Sequence, residues 1–327
     1  ISVGSLYKGL VLDMPMREID EKVGSALNTA NVFAKMSGGG GTLTTPTATG
    51  WASFASGAIY DRTGILLDST LTAGKTYRVK WDTLTSTSGN LNVRTYTTAN
   101  MVDGEGVNLA NQTGAGEVDF VATGTENRIG FKNLLHPATV VLSGFSVKEL
   151  KTADTTPNAN HGVVYGATQN SDSMTFSGSD NHIQFDSKVN LGTEHTISIW
   201  HNDDNSGADN SLFGNDGDYT GIRFSSVDSL EYRVDSDYDD NANGSITRDG
   251  NWHNLVISRI SLTNINIYQD GVYLNNITGY SNTDDFIIDL IGIRNASSLD
   301  FIGDIKDVRL YNRALSAQEI ELLYKQR

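Results

Sequence analysis

The sequence predicts an all-β protein of two β-sandwich domains, and three features predict it. The chain is 327 residues long, enough for two cores of ordinary size. It holds 33 glycines and 4 prolines, a composition suited to short strands joined by tight turns. From Thr42 onward it reads as strand after strand, each bounded by Gly, Asn, Asp or Thr.

Taken in order, KGLVLDMPM from Lys8 has the look of a buried strand, and EIDEKVGSALNTANVFA reads as a short helix or an irregular segment. SGGGG at Ser37 is a loop without the Lys-Ser/Thr of a phosphate-binding turn. TGILLDS, TYRVKWDTLTS, NLNVRTYTT, GEVDFVAT, NRIGFKNL and VVLSGFSVKEL follow as a first strand series. KTADTTPNANHG, Lys151 to Gly162, is polar and aperiodic and reads as a linker or long loop. A second series runs from MTFSG to DIKDVRLYN. Within it, Asp270-Gly271 between two alternating apolar runs predicts a tight hairpin. Ser316, with Glu319 three residues on and Ile320, Leu322 and Leu323 beyond, predicts a short capped helix at the C-terminal end.

Charge and composition narrow the function. The chain carries 24 basic and 39 acidic side chains. That balance argues against nucleic acid, whose phosphates need clustered Lys and Arg, and favours a cation where carboxylates converge. No cysteine is present, so disulfides and thiolate metal sites are excluded. No apolar run reaches the roughly 20 residues of a membrane-spanning helix. The sequence begins at Ile1, which suggests a processed product or a piece of a longer, exported or assembled protein.

The second half resembles the laminin-G-like, concanavalin A-like sandwich family found in bacterial surface proteins and phage tail proteins. The matching phrases are MTFSGSDNHIQFD, HTISIWHND, DGNWHNLVISR, INIYQDGVYLN and GDIKDVRLYNRALSAQEIELLY. In that family a strand resembling GLVLDMPM is soon followed by a segment resembling NANHGVVYGA. Here the two are about 140 residues apart, too far for an ordinary loop. AGKTYRVKWDT and VVLSGFSVKEL between them resemble jelly rolls of carbohydrate-binding-module type. The resemblance implies an insertion: residues 1–16 as first strand, 17–150 as inserted jelly roll, and 151–327 as the remainder with the short helix. Two sandwiches in tandem with a loose N-terminal arm is the alternative.

The family also includes glucanases, whose paired carboxylates alternate on one strand. The nearest string, EIDEKV, offers Glu18 and Asp20 but has Lys22 or Val23 where the next Glu belongs. The six histidines lack metal-site spacing and read as surface or turn residues. The expectation is therefore a protein that binds and does not catalyse. The resemblance also implies one structural Ca²⁺, with Asp307 of IKDVRLY as a ligand beside backbone carbonyls near the first strand. The alternative is that Asp307 is simply exposed or caps a turn. Ser143 stands where the inserted jelly roll would carry its own aspartate. The acidic stretch from Asp235 to Gly244 only partly matches a calcium loop and reads as a polar turn.

A glycan site needs an aromatic face and polar neighbours. The candidates are Tyr219, Arg223, Tyr232 and Tyr238 in the second half, and Trp51, with Tyr60 and Tyr96, in the first. Trp81, Trp200 and Trp252 are assigned to packing. These readings lead to a carbohydrate-binding or adhesive component of a phage virion (tail fibre or capsid decoration) or of a bacterial surface. Its expected partners are glycans or surface polysaccharide, other virion or surface proteins, and copies of itself. A purely structural virion or surface component is the alternative, and a polysaccharide-acting enzyme stands third.

Overall fold

The computed structural model describes residues 3–16, 32–35, 42–44, 52–55, 62–87, 89–98, 101, 105–133, 139–203, 209–226, 228–235, 237–239, 246–295 and 299–326. Among the described residues all the sheets are antiparallel, and the one α-helix is Ala317–Lys325. The chain divides into two compact units, 1–23 with 151–327, and 24–150.

The first unit contains two eight-stranded sheets. One sheet runs Thr168–Gln169, Met174–Ser177, Ile302–Tyr311, His195–Asn202, His253–Ser261, Asn264–Gln269, Val272–Thr278. Its final strand, Ile302–Tyr311, takes two partners along one edge. Met174–Ser177 pairs with its first half, and Leu10–Met14 with its second, in the register Leu12↔Leu310 and Met14↔Val308. The N-terminal apolar run therefore serves as a sheet strand some 300 residues from its partner in sequence.

The other sheet runs Lys151–Thr152, Gly162–Tyr165, His182–Asn190, Ile287–Ile291, Asn210–Gly214, Gly221–Phe224, Leu230–Val234, Asp237–Asp239. Alternation drives the packing: Ile197, Ile199, Leu255 and Ile257 of the first sheet are buried, as are Ile222, Phe224, Leu230 and Tyr232 of the second. The far side of the first sheet is covered too. Val256, Tyr268 and Tyr311 pack with Leu315, Ile320 and Leu323 of the C-terminal segment. Full burial of a side chain such as Ile320 or Leu323 stabilises by about 1.5–3 kcal/mol. The helix begins at Ser316 with a complete capping box to Glu319, so its first amides are satisfied.

The polar stretch after Lys151 is more ordered than its composition predicts. Asp154 is buried, and its carboxylate accepts from the backbone N–H groups of Asp13, Thr156 and Asn160 and from the Thr156 hydroxyl. Thr155 N–H in turn donates to the Asp13 carbonyl at 2.9 Å. The point where the chain leaves the first strand is thus tied to the point where it returns. Asp270-Gly271 forms the predicted hairpin, with φ of 53° and 78°, and joins Gln269 to Val272 across the turn.

In the second unit, Thr76–Trp81 lies between Gly116–Val121 and Ser146–Glu149. A five-stranded sheet runs Val32–Lys35, Arg62–Leu66, Arg128–Asn133, Leu91–Tyr96, Asn108–Gln112, and a four-stranded one Thr42–Thr44, Ala52–Ala55, Thr139–Ser143, Thr83–Ser86. Val79, Trp81, Leu84, Val93, Ile129, Phe131 and Val147 form its core. Trp81 is a packing residue whose indole N–H donates to the Gly114 carbonyl at 2.9 Å. Glu126 is fully buried but held by the amides of Thr123, Gly124 and Thr125, which outweigh the burial that would raise its pKa and keep it low.

Candidate functional site

On Gly221–Phe224 and Leu230–Val234, Ile222, Phe224, Leu230, Tyr232 and Val234 point into the core. The pleat must then direct Arg223, Glu231 and Arg233 to the outer face. Register completes the grouping: Arg223 lies directly across from Glu231, and Gly221 from Arg233. Arg294 arrives from the segment after Ile287–Ile291. Its carbonyl accepts from Asn215 N–H at 2.9 Å, and any Cβ at Gly214 would collide with that carbonyl. Glycine at position 214 is what lets the Arg294 segment lie against the sheet.

These side chains converge on one carboxylate. Arg223 pairs with Glu231 and with Asp209, while Glu231 Oε1 lies 3.6 Å from Arg294 and 3.9 Å from Arg233. Glu231 is buried beneath the three guanidinium groups. Tyr219, 47% exposed, stands at the edge, with Arg233 4.8 Å and Arg294 5.4 Å from its ring centroid. Its turn is fixed by Asp218, which accepts from Thr220 N–H, and by Asp289, which accepts from Asp216 N–H at 2.8 Å. Arg233 is steadied by its own turn, donating Nε–H to the Asp235 carbonyl at 2.7 Å. Burial, then the neighbouring positive charges of Arg223 and Arg233, pull the Arg294 pKa below the ordinary arginine value despite Glu231.

The structure brings together two of the sequence candidates, Tyr219 and Arg223. Tyr232 is a correction: alternation turns it inward, where it is fully buried, and its hydroxyl hydrogen-bonds His195 Nε2 at 3.1 Å. No sugar can stack on it. Tyr238 sits across from Arg233 in the register of the last strand, and its side chain lies outside the described residues. Trp51 and Tyr60 also lie outside them. Tyr96 is buried. Glu231, Arg233 and Arg294 escaped the sequence reading. The alternation of LEYRV could have flagged the first two, but nothing local links Arg294 to them.

The histidines need a second correction, because His195 and His201 are buried in the core instead of lying at the surface. His195 bonds the Gly192 carbonyl and the Tyr232 hydroxyl, and burial lowers its pKa to about 3. His201 Nδ1 lies 2.8 Å from buried Asp203, which also accepts from Arg248 Nε–H at 2.6 Å. Trp200 stacks on Tyr324, and Trp252 lies 4.0 Å from Lys306 Nζ.

Asp307 occupies a bulge of the final strand, where the pairing shifts between Ser198 and Trp200, and it has φ of 47°. It is nearly buried, and its N–H donates to the Pro15 carbonyl at 3.3 Å. Asp13, on the adjoining strand, is engaged by Arg309 and Thr155. Among the described residues, no group of three or more His, Cys, Asp or Glu side chains is arranged to hold a metal.

Residues 177–321 match the family described as the concanavalin A-like lectin/glucanases superfamily, of laminin G type. This part of the chain is similar to LamG-type concanavalin A-like β-sandwich domains. The receptor-binding domain of the botulinum neurotoxin C/D mosaic serotype aligns with 54% of this chain and 48% of its own, at 14% identity and a TM-score of 0.43. Domain 4 of AbnA, a GH43 extracellular arabinanase from Geobacillus stearothermophilus solved with arabinotriose, aligns with 53% of this chain and 92% of its own. Its identity is 17% and its TM-score 0.42. The binding domain of Paraclostridial Mosquitocidal Protein 1 gives 20% identity and a TM-score of 0.40 over 54% and 49% of the two chains. The alignment spans about half the length of the neurotoxin domains. No curated protein matches the chain.

Proposed function

We propose that this protein is a non-catalytic carbohydrate-binding, adhesive component displayed on a phage particle or a bacterial surface, with glycans or surface polysaccharide as its ligands. The observation that carries the reading is the Tyr219–Arg223–Arg233–Arg294 cluster, an open set of polar and aromatic groups on the outer face of a lectin-type sandwich. A carboxylate is present there, but Glu231 is held by three guanidinium groups and is poorly placed to act as an acid or nucleophile. The family resemblance and the modular, Cys-free, Gly/Thr/Asn-rich sequence support the virion or cell-surface setting, and neighbouring surface proteins and self-association are proposed as what such a setting entails. The test is a binding screen of the purified chain against glycans and bacterial surface polysaccharides in calcium buffer. Saturable binding to a defined glycan is expected, and silence across the panel would reject the reading.

A second reading, a structural role through protein contacts, is favoured by the edge strand Val272–Thr278. There Val272 is 64% exposed and Tyr273 is 49% exposed.

Structural calcium at Asp307 belongs to the same proposal. What supports it is an aspartate held at positive φ within a strand, a conformation that costs energy and persists where the surroundings demand it. The carbonyls of Pro15 and Met16 already accept bonds from Asp307 N–H and Gln169. A cation there would therefore draw on further backbone oxygens and water. Calcium is expected to raise the melting temperature relative to EDTA in the wild type and not in Asp307→Asn. Identical melts with and without calcium would remove the metal from the proposal.

A further inference from the structure

We infer that Lys188 and Asn215 become joined by an amide cross-link that the folded chain forms on itself, with Asp289 carrying the proton. A glycan plays no part in this step. The strands His182–Asn190, Ile287–Ile291 and Asn210–Gly214 lie side by side, in the registers Val189↔Ile288 and Gly214↔Leu290. Lys188 comes just before Val189, and Asn215 just after Gly214. The pairing therefore sets an amine and a carboxamide on either side of the Asp289 carboxyl group.

The contacts are those the reaction needs. Lys188 is an exposed residue, but its Nζ donates to Asn215 Oδ1 and, at 3.1 Å, to the Asp216 carbonyl. Asn215 and Asp289 are both buried. Asn215 Nδ2 donates to the Ile287 carbonyl at 2.7 Å, which turns the carboxamide oxygen toward the amine. The carbon under attack is one bond beyond that oxygen, so nucleophile and electrophile are held side by side. A Cβ at position 217 would stand 3.2 Å from the amine, and glycine keeps the approach open. Burial first, then the charges of Asp216 and Asp218, pushes the Asp289 pKa above the ordinary carboxylate value, against Asp216 N–H and the charge of Lys188. A carboxyl group so poised can take a proton and return it.

The step balances without an oxidant or reductant. Asp289 takes a proton from the Lys188 ammonium, and the free amine attacks Asn215 Cγ, forming the Nζ–Cγ bond and leaving negative charge on Oδ1. One proton then passes from Nζ to Nδ2, the Cγ–Nδ2 bond breaks, and ammonia departs. That ammonia takes the proton held by Asp289, so the carboxylate is restored and an ammonium ion is released. The product is a secondary amide between two strands that flank Ile287–Ile291.

The experiment is intact-mass spectrometry of the denatured whole chain, followed by tryptic peptide mapping. The wild type is expected to be lighter than its sequence by one ammonia, to resist cleavage after Lys188, and to yield the Lys188 and Asn215 peptides joined. Lys188→Arg keeps the positive charge at an exposed position, but a guanidinium stays protonated and does not attack. It should show the full sequence mass and separate peptides. Asp289→Asn keeps an acceptor for Asp216 N–H and should also remain unlinked. Circular dichroism checks the fold of each variant, and Lys188→Arg keeps the test valid if Asp289→Asn misfolds. A succinimide at Asn215 would expel ammonia as well, but it would persist in Lys188→Arg and leave the peptides separate. Full sequence mass in the wild type, or an ammonia loss that survives Lys188→Arg, overturns the cross-link. A linked Asp289→Asn variant overturns the role given to Asp289.

Discussion

Two arginine–carboxylate clusters lie on opposite faces of the strand Gly221–Phe224. On the inner side, Arg248 lies over the Phe224 ring at 4.3 Å and donates to Asp203, which also binds His201. Arg248 and Asp203 are both buried. On the outer side, Arg223 joins Arg233 and Arg294 around Glu231, beside exposed Tyr219. The inner cluster is closed off from solvent, with Arg248 and His201 both directed at Asp203. The outer one gathers Arg223, Arg233 and Arg294 on Glu231 next to exposed Tyr219. The first arrangement holds a fold together, and the second presents polar and aromatic groups at the surface.

The comparison is broken most severely by removing a carboxylate from the inner cluster. Asp203→Ala removes the carboxylate to which buried Arg248 donates and should destabilise the first unit by about 3–5 kcal/mol in urea unfolding. A loss near zero would mean that the inner cluster is as dispensable as a surface pair.

Acid titration of the core comes next. His195 is buried neutral, with its pKa lowered to about 3 by burial. Its contribution is complete above the ordinary histidine value near 6.5 and is lost as pH falls toward 3, on the order of 3 kcal/mol by pH 4. His195→Gln should flatten that part of the stability profile. An unchanged slope in the variant would assign the acid sensitivity to carboxylates such as Asp203. Burial would raise the Asp203 pKa, but His201 and Arg248 outweigh it and hold it low.

The outer cluster should respond the other way round. Arg294→Gln is expected to change stability by less than about 1 kcal/mol, because its ion pairs are partly solvated, while it weakens glycan binding. Equal losses of stability and binding would make the outer cluster structural as well.

The smallest effect belongs to His253. Burial alone would lower its pKa, but hydrogen bonds to Asp270 and Asp249 prevail and raise it. Its contribution is therefore present below about 6.5 and lost as pH rises through the raised value, with a size below about 1 kcal/mol after solvent screening. His253→Gln should remove this alkaline-side decline and leave the acid-side loss of His195 intact.

Much of the fold was legible in local chemistry. The Asp270-Gly271 turn, the Ser316 capping box and the alternating apolar runs each act over a few residues, so each leaves its signature in a short window. The polar segment after Lys151 was less legible, because Asp154 organises it through amides both beside it and across the fold at Asp13. Tyr232 shows the same limit at the site. Beside Arg223 and Tyr219 in composition it reads as a ligand platform, yet the register of its strand faces it into the core.

By itself, then, the sequence determined an all-β chain, the second sandwich with its hairpin and capped helix, and the absence of cysteine chemistry. Only the tertiary structure decided that Leu10–Met14 pairs with the final strand, that His195 and His201 belong to the interior, and that Arg294 meets Arg223, Arg233 and Glu231. The reason is physical. Turns and caps are satisfied by near neighbours, whereas strand partners and charge clusters are chosen by sheet register, which joins residues far apart along the chain.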